Sequence, residues 1–284
     1  MTSYAFRIVN VFAETRLAGN PLAVFEDGRG LDEATMQALA LQFNLSETTF
    51  VLPSDAATAR VRIFTPTFEM PFAGHPTLGT AHVVRALRSA GSAITLEMRA
   101  GVIPVRADGD LWTLTANAPR ARAVAASPRE LAEMLGLEVA DLAPGERWVD
   151  TGSEQLVIPI ATAAAVRRAA PRAELIARHA SVSVPGGVSR AMAYLWAEDG
   201  ADRILARFFF LKQGMLTEDP GTGSACANLG GWLVASGAAR PRTLTIDQGE
   251  YVGRRCRLQL TVDAAGTISV GGRVIELGRG AIEL

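Results

Sequence analysis

The chain has 284 residues, about the length of two domains, and its 28 Lys and Arg residues nearly balance 29 Asp and Glu residues. This balance, without blocks of like charge, lacks the basic footprint of a nucleic-acid-binding protein, so we expect no nucleic-acid partner. Alternating strand residues begin by Phe6 and no run of about 18 apolar residues occurs, so we expect neither signal peptide nor membrane contact, and a cytoplasmic location.

The first half reads as strands interrupted by two helices. Asp32 can cap a helix in which Met36, Leu39 and Phe43 repeat at helical spacing, and this helix should end near Asn44. A second helix follows the turn around residue 75. The predicted strands cover residues 4–12, 22–25, 45–51, 59–64, 94–98, 103–106 and 111–116.

A change in composition marks the predicted domain junction. Residues 118–144 are rich in Ala, Pro and Arg, and Ser127 with Glu130 forms a capping box for a helix that stops at Gly136. We therefore divide the chain into domains 1–117 and 118–284, with the last strand free to pack back on the first half. The second half is predicted to contain an amphipathic helix at 171–179, a loop at 184–188 and strands at 155–160, 191–196, 204–211, 243–246, 257–262, 267–270 and 273–277.

Two glycine-rich turns stand out, one around Gly74 and His75 and the other from Asp219 to Gly223. Each precedes a segment without charged residues, at 78–84 and 224–239, and a helix without a charged face is buried. The backbone N–H groups at such helix starts lack intrahelical partners and favour an anion.

The two turns also align with each other. When Gly74 is set over Pro220, the order of strand, turn, buried helix, glycine and strand repeats, which indicates a duplicated unit. We predict an α+β fold of two pseudo-symmetric domains, each a mainly antiparallel sheet rolled around a central buried helix. The two helix N-termini would then face each other across a cleft.

Glu47, His75 and Asp219 are the ionisable residues expected near these helix starts. We expect His75 to be the N-cap, because Pro76 suits the first helical position; its alternative is a packed or capping histidine. A pure capping role is the alternative for Asp219. Glu47, taken alone, is more often a solvated residue. Ser224 could donate a hydroxyl hydrogen bond to a substrate or simply belong to the first helical turn.

Metal and cofactor chemistry has no support in the sequence. Three scattered histidines and two cysteines, Cys226 and Cys256, form no metal-ligand pattern, and phosphate-binding glycine motifs are missing. We expect no metal, no cofactor and two reduced cysteines.

Several motifs together resemble the phenazine-biosynthesis isomerase (PhzF-like) family. They are Gly19-Asn-Pro-Leu-Ala-Val24, Leu45-Ser-Glu-Thr-Thr-Phe50, Arg62-Ile-Phe-Thr-Pro66, Glu69-Met-Pro-Phe-Ala-Gly-His-Pro-Thr-Leu-Gly79 and Glu218-Asp-Pro-Gly-Thr-Gly-Ser224. The resemblance implies a diaminopimelate-epimerase-like fold, usually a homodimer, with the active site between two similar domains. It also implies that Glu47 is the acid/base that moves a proton between carbons.

The same resemblance implies the rest of the site. Its substrate-lining residues would be His75, Asp219, Gly74, Gly223 and Ser224, and we add Thr222 and Asn20 from the same motifs. The expected activity is a cofactor-independent isomerisation of a small carboxylate.

Two alternatives stay open. One is an epimerase or racemase acting on a related acid, and the other is a non-catalytic ligand-binding member of the family. Related racemases use one cysteine at each helix start, where this chain is expected to have Gly79 and Ala225, so a two-thiol mechanism is disfavoured.

Overall fold

A computed structural model describes residues 1–184 and 188–284, so residues 185–187 of the expected loop at 184–188 lie outside the described residues. The chain divides into two compact units: the first unit comprises residues 1–115 and 271–284, and the second unit comprises residues 116–270. Each is a mixed α/β structure in which antiparallel strand pairs dominate. In the described residues, no helix combines the length and the apolar character that a membrane span needs.

The strands are β1 Ser3–Val11, β2 Asn20–Phe25, β3 Thr48–Leu52, β4 Ala59–Phe64, β5 Glu69–Met70, β6 Ala93–Met98, β7 Gly101–Asp108, β8 Leu111–Thr115, β9 Arg120–Arg122, β10 Arg147–Asp150, β11 Gln155–Pro159, β12 Ser181–Val184, β13 Val188–Glu198, β14 Arg203–Lys212, β15 Met215–Asp219, β16 Arg242–Gln248, β17 Cys256–Val262 and β18 Ile268–Glu283. The helices are α1 Glu33–Phe43, α2 Gly74–Arg88, α3 Pro128–Leu135, α4 Ala163–Arg168, α5 Ala173–His179 and α6 Gly223–Ala235, with a 3-10 turn at Val139–Asp141.

The strands of the first unit close into a barrel. They pair in the order β3, β2, β1, β18, β8, β7, β6 and β4, and β4 pairs again with β3. Helix α2 packs against seven of these strands, which explains why its residues from His75 to Ala81 are all buried. The apolar stretch at the start of α2 is therefore inside the barrel, as its lack of charge predicted.

The second unit has a related strand path: β9, β10, β11, β13, β14, β16 and β17. Helix α6 packs against β9, β10 and β11 and against β17, so the sheet curves around the helix. In both units a hairpin leads into the buried helix, and the next strand pairs in parallel with the first strand of that hairpin: β4, β5, α2 and β6 in one, β14, β15, α6 and β16 in the other.

Local capping signals placed two helices correctly. Asp32 is the N-cap of α1 and accepts a hydrogen bond from the Thr35 backbone N–H at 2.8 Å, and Asn44 ends the helix in the left-handed conformation. The capping box of Ser127 and Glu130 starts α3, and Gly136, with a φ of 64°, ends it. Helix α4 was not predicted, since its alanine-rich sequence lacks a helical pattern of apolar and polar residues.

Candidate active site

In the first unit, an ion pair fixes the hairpin that leads into α2. Arg62 on β4 donates through Nε and Nη2 to the two carboxylate oxygens of Glu69 on β5, at 2.8 and 2.5 Å. The guanidinium also lies over the ring of Phe64, 5.0 Å from its centroid, and Phe64 is the residue opposite Glu69 in the hairpin. Arg99 adds a second cation, 2.5 Å from Glu69. We call the three residues Arg62, Phe64 and Glu69 the first Arg–Phe–Glu clamp.

Helix α2 begins earlier than the sequence suggested. Ala73 is the N-cap, in an extended conformation, and the backbone N–H of Thr77 closes the first turn on its carbonyl at 3.1 Å. The prediction that His75 is the N-cap is therefore wrong: His75 is the second helical residue and Gly74 is the first. Pro76 is the third helical residue, and proline is tolerated there because the first N–H groups of a helix have no intrahelical acceptor in any case.

His75 lies beside Glu47 at the start of α2. Its Nε2 atom is 3.5 Å from Oε2 of Glu47, and the two side chains are 7% and 15% exposed. Burial lowers the pKa of His75 to about 3, although a hydrogen bond to the backbone of Pro21 opposes this shift. His75 is therefore a neutral imidazole at physiological pH, and its contact with Glu47 is not an ion pair.

The tautomer of His75 follows from its other contact. Proline has no backbone N–H, so the hydrogen bond between His75 and Pro21 has to run from the ring to the carbonyl. Nε2 has no hydrogen-bond partner within the described residues, so we assign the N–H to Nδ1. The unprotonated Nε2 then faces Glu47. A proton on this carboxyl group could be shared with Nε2 if the two atoms closed to hydrogen-bond distance.

The other predicted residues of the first unit lie near this pair in the chain. Glu47 directly precedes β3, and Asn20 is the first residue of β2, fully buried and next to Pro21. Gly74 adjoins His75 in the first turn of α2. Of the predicted site residues, the structure thus brings Glu47 and His75 into direct contact within the first unit.

The second unit repeats the clamp before its own turn. Arg207 on β14 donates through Nε and Nη2 to the two oxygens of Glu218 on β15, at 3.0 and 2.7 Å. Its guanidinium lies 4.7 Å from the ring centroid of Phe209, the residue opposite Glu218. Arg207 also donates to the carbonyl of Ala169, just after α4, at 2.7 Å. We call Arg207, Phe209 and Glu218 the second Arg–Phe–Glu clamp.

Asp219 ends β15, and its neighbours hold it in place. The Thr222 hydroxyl donates to Oδ2 of Asp219. Gln248, buried at the end of β16, donates from Nε2 to the Asp219 carbonyl at 2.9 Å and to the Thr222 hydroxyl oxygen at 3.0 Å. Thr222 is the N-cap of α6, yet its side chain makes no capping hydrogen bond. Its hydroxyl donates a hydrogen bond to Asp219 instead.

Ser224, next to Gly223 in the first turn of α6, is held by a second group of amides. Asn228 accepts from the backbone N–H of Thr151 and donates to the carbonyl of Ser153, which fixes its orientation. Its remaining N–H donates to Gln155 Oε1 at 2.9 Å, and Gln155 Nε2 donates to Ser224 Oγ at 2.9 Å. Since Ser224 Oγ accepts this bond, its own hydrogen remains available to donate.

The cysteines lie away from the positions that a two-thiol racemase needs. Cys226 is fully buried in α6, and burial raises the pKa of its thiol well above the ordinary range, so the thiolate is disfavoured. Ala225 lies in the first turn of α6. The placement of Gly79 at a helix start is wrong, because α2 begins at Gly74 and Gly79 lies in its second turn. A Cβ on Gly79 would meet Leu22 Cδ2 at 2.7 Å.

Three buried polar residues that support these turns were not predicted from the sequence: Gln155, Asn228 and Gln248. Asn228 had a usable signal, since it is the one amide in an otherwise apolar or small helix. Gln248 had none, because it lies far along the chain from Asp219 and meets it only through the fold.

Known proteins with similar sequences point to one family. The model of a family described as phenazine biosynthesis-like protein matches residues 9–277. The chain belongs to this family. As a phenazine biosynthesis-like protein it is an isomerase, and its relatives from Pasteurella multocida and Pseudomonas aeruginosa are named isomerases. Within the described residues, no three His, Cys, Asp or Glu side chains are grouped as metal ligands would be.

Three similar proteins show how far the similarity extends. An uncharacterized isomerase of Pasteurella multocida is 38% identical over 99% of this chain and 95% of its own length. The trans-2,3-dihydro-3-hydroxyanthranilate isomerase of Pseudomonas aeruginosa is 33% identical over 93% of this chain and 92% of its own. The solved structure of a predicted epimerase from Pseudomonas aeruginosa has a TM-score of 0.80 at 31% identity and covers 99% of both chains.

Proposed function

We propose that this isomerase moves a proton between two carbons of a small cyclic carboxylate, with Glu47 as the acid/base. The contact between Glu47 and the neutral imidazole of His75 carries this proposal. Glu47 is partly exposed, so a ligand can reach it, whereas His75 is buried behind it. The Pseudomonas aeruginosa relative, named for an isomerisation of trans-2,3-dihydro-3-hydroxyanthranilate, supplies the class of compound.

The proposed step conserves atoms and charge. The Glu47 carboxylate takes a proton from a substrate carbon, the C–H electron pair enters the conjugated system, and the carboxyl group returns a proton to another carbon. General acid/base action of this kind contributes about 10²–10⁴-fold to the rate. The N–H groups at the start of α2 would stabilise the charge that develops on the substrate.

His75 has a defined part in this proposal. While Glu47 holds the proton, the unprotonated Nε2 of His75 can accept a hydrogen bond from the carboxyl group and keep it oriented. Burial keeps the imidazole neutral, so His75 does not form an ion pair with the Glu47 carboxylate. We further propose that Asp219, Ser224 and the backbone around Gly74 and Gly223 are substrate-binding groups.

The repeated arrangement of hairpin, buried helix and parallel strand supports a second proposal about the fold. We propose that the two units are pseudo-symmetric copies of one ancestral unit, each a sheet around its own helix. The two Arg–Phe–Glu clamps support this, since both occur at the same place before the buried helix. Assembly as a homodimer stays a prediction, which sedimentation at several protein concentrations would test.

The acid/base assignment is tested by exchange with solvent. With trans-2,3-dihydro-3-hydroxyanthranilate as the first probe and other small cyclic carboxylates after it, deuterium uptake from D2O is followed by proton NMR. We expect Glu47→Gln to lower turnover and exchange by about 10²–10⁴-fold. Glu133→Gln, an exposed replacement of the same kind, is the control. Full exchange by Glu47→Gln would show that another group moves the proton.

An epimerase remains the second candidate, because the structurally similar protein from Pseudomonas aeruginosa is described as a predicted epimerase. Chiral analysis of the product distinguishes the two outcomes, since an epimerase returns the proton to the same carbon. A non-catalytic member of the family would bind the probe and show no exchange in either direction.

A further inference from the structure

The turn that carries Asp219 is held by a buried amide whose orientation is determined by backbone groups. Gln248 is 2% exposed, and its Nε2 atom lies 2.9 Å from the carbonyl oxygen of Asp219. Its Oε1 atom accepts from the backbone N–H of Thr222, with 3.4 Å between the nitrogen and the oxygen. Exchanging the two ends of the amide would set oxygen against carbonyl and N–H against N–H, so the contacts allow one orientation.

This orientation determines the direction of the next hydrogen bond. The second N–H of Gln248 points to the Thr222 hydroxyl oxygen at 3.0 Å, so that oxygen is an acceptor here. The single hydrogen of the hydroxyl then goes to Oδ2 of Asp219. A hydroxyl that donates to a carboxyl group favours its ionised form.

The backbone beside Gln248 is fitted to the same turn. Gly249 has a φ of 83°, and a Cβ there would meet the carbonyl oxygen of Pro220 at 2.4 Å. The end of β16 therefore lies directly against the turn between Asp219 and Thr222. This close backbone approach places the amide of Gln248 beside both residues.

We propose that Gln248 and Thr222 are positioning residues that hold Asp219 as a carboxylate with a fixed orientation. This inference rests on the proposed function for the role of Asp219 in the reaction, but the hydrogen-bond chain itself does not. Thr222, expected from the sequence to bind substrate, would thus act through Asp219.

The charged and titratable groups that the described residues bring near Asp219 include Cys256, Arg254 and Glu218. The Cys256 thiol on β17 faces it; burial is the main cause that raises the pKa of this thiol, and the Asp219 charge adds to it, so the thiol stays neutral. Arg254 is the cation that acts on the same thiol. The neighbouring Glu218 is paired with Arg207.

The experiment measures Asp219 directly, without a substrate. The chain is labelled with carboxyl-13C aspartate, the Asp219 signal is assigned with Asp219→Asn, and its titration is followed by NMR. We expect Thr222→Val to raise the titration midpoint of Asp219 by about 1 pH unit, because a hydrogen bond to a charged group is lost. Thr222→Ser keeps the hydroxyl and should restore the midpoint, and Gln248→Met should raise it by a smaller amount.

Thr245→Val, on the half-buried face of β16, is the control and should leave the midpoint unchanged. An unchanged midpoint in Thr222→Val, or failure of Thr222→Ser to restore it, would overturn the proposal.

A separate experiment measures the kinetics of these variants by deuterium uptake into the substrate. If the midpoint moves in Thr222→Val while turnover at each pH stays that of the wild type, the positioning of Asp219 stands and its catalytic role fails.

Discussion

The two turns that lead into α2 and α6 share their support and differ in their chemistry. Each follows a hairpin held by an Arg–Phe–Glu clamp in which the Arg is two residues before the Phe and the Phe is paired with the Glu across the hairpin. The first turn presents a buried, neutral imidazole, His75, inside the first turn of the helix. The second presents a carboxyl group, Asp219, at the end of a strand before the helix. A common scaffold thus carries two unlike groups.

This difference bears on the type of reaction. A racemase that takes a proton from one face and returns it to the other needs two bases that exchange roles. The two turns here carry an imidazole and a carboxyl group, α2 has no cysteine in its first turn, and Cys226, the fourth residue of α6, is fully buried with a raised thiol pKa. The comparison therefore favours a one-base proton shift over a two-base racemisation.

The clamps themselves should differ in strength, and this is the largest effect that we expect. Arg207 and Glu218 are 10% and 14% exposed, and Glu218 has no second cation among the ion pairs of the described residues. Glu69 keeps Arg99 when Arg62 is removed. Arg207→Met should lower the free energy of unfolding by about 3–5 kcal/mol, because a buried carboxylate is left unpaired. Arg62→Met should cost about 1–2 kcal/mol.

Urea denaturation at pH 7.5 measures both losses. Arg203→Met is the control on the same strand as Arg207; its side chain is 51% exposed, so its loss should stay below about 1 kcal/mol. Equal losses for Arg62→Met and Arg207→Met would mean that Arg99 does not compensate, and that the two clamps are energetically equivalent.

The next prediction concerns acid stability, which should depend on the first turn. The folded-state pKa of His75 is lowered to about 3, so the unfolded chain binds a proton near pH 6.5 that the folded chain does not. The free energy of unfolding therefore falls as the pH drops below about 6.5. His75 alone should account for a loss of about 2.5 kcal/mol between pH 7.5 and 4.5. The free energy of unfolding of His75→Gln should therefore fall by about 2.5 kcal/mol less than that of the wild type over the same pH range.

The check is a pair of urea titrations, at pH 7.5 and pH 4.5, for the wild type and for His75→Gln. Other groups also titrate in this range, so the informative quantity is the difference between the two proteins. His179→Gln, at the end of α5 in the second unit, controls for removal of an imidazole elsewhere. If His75→Gln loses as much stability between pH 7.5 and 4.5 as the wild type does, His75 is protonated in the folded protein at pH 4.5.

The sequence predicted the parts of the fold that depend on local signals. Caps such as Asp32 and Ser127 act within a few residues, so they placed α1 and α3 correctly. The absence of charge predicted that both helices after the glycine-rich turns are buried. The short strands β5 and β15 were missed, since two to five partly exposed residues have no apolar alternation and are fixed by pairing with β4 and β14.

The site was less accessible to sequence reasoning. Glu47 lies in a polar stretch and reaches His75 only through the packing of β3 beside α2, so spacing alone could not select it. The resemblance to known isomerases selected it instead. Gln248 and Gln155 support their turns across long sequence separations, and such contacts leave no periodic trace in the chain.

The smallest expected difference lies in how the two buried helices are anchored by polar groups. Asn228 on α6 makes four hydrogen bonds, two of them with backbone groups at Thr151 and Ser153. On α2 one buried contact of this kind is the hydroxyl pair between Thr80 and Thr49, at 2.8 Å. Asn228→Ala should cost about 2 kcal/mol and Thr80→Val about 1 kcal/mol, measured as free energies of unfolding in urea.

A double replacement makes this comparison sharper. When Thr49→Val and Thr80→Val are combined, both partners become apolar with the same shape, so the loss should fall below that of Thr80→Val alone. Asn228 offers no such rescue, because the N–H of Thr151 and the carbonyl of Ser153 belong to the backbone and lose their partner when an apolar side chain replaces the amide. Recovery of stability in a Gln155→Met, Asn228→Leu double variant would contradict this difference and show that backbone pairing does not determine the anchoring of α6.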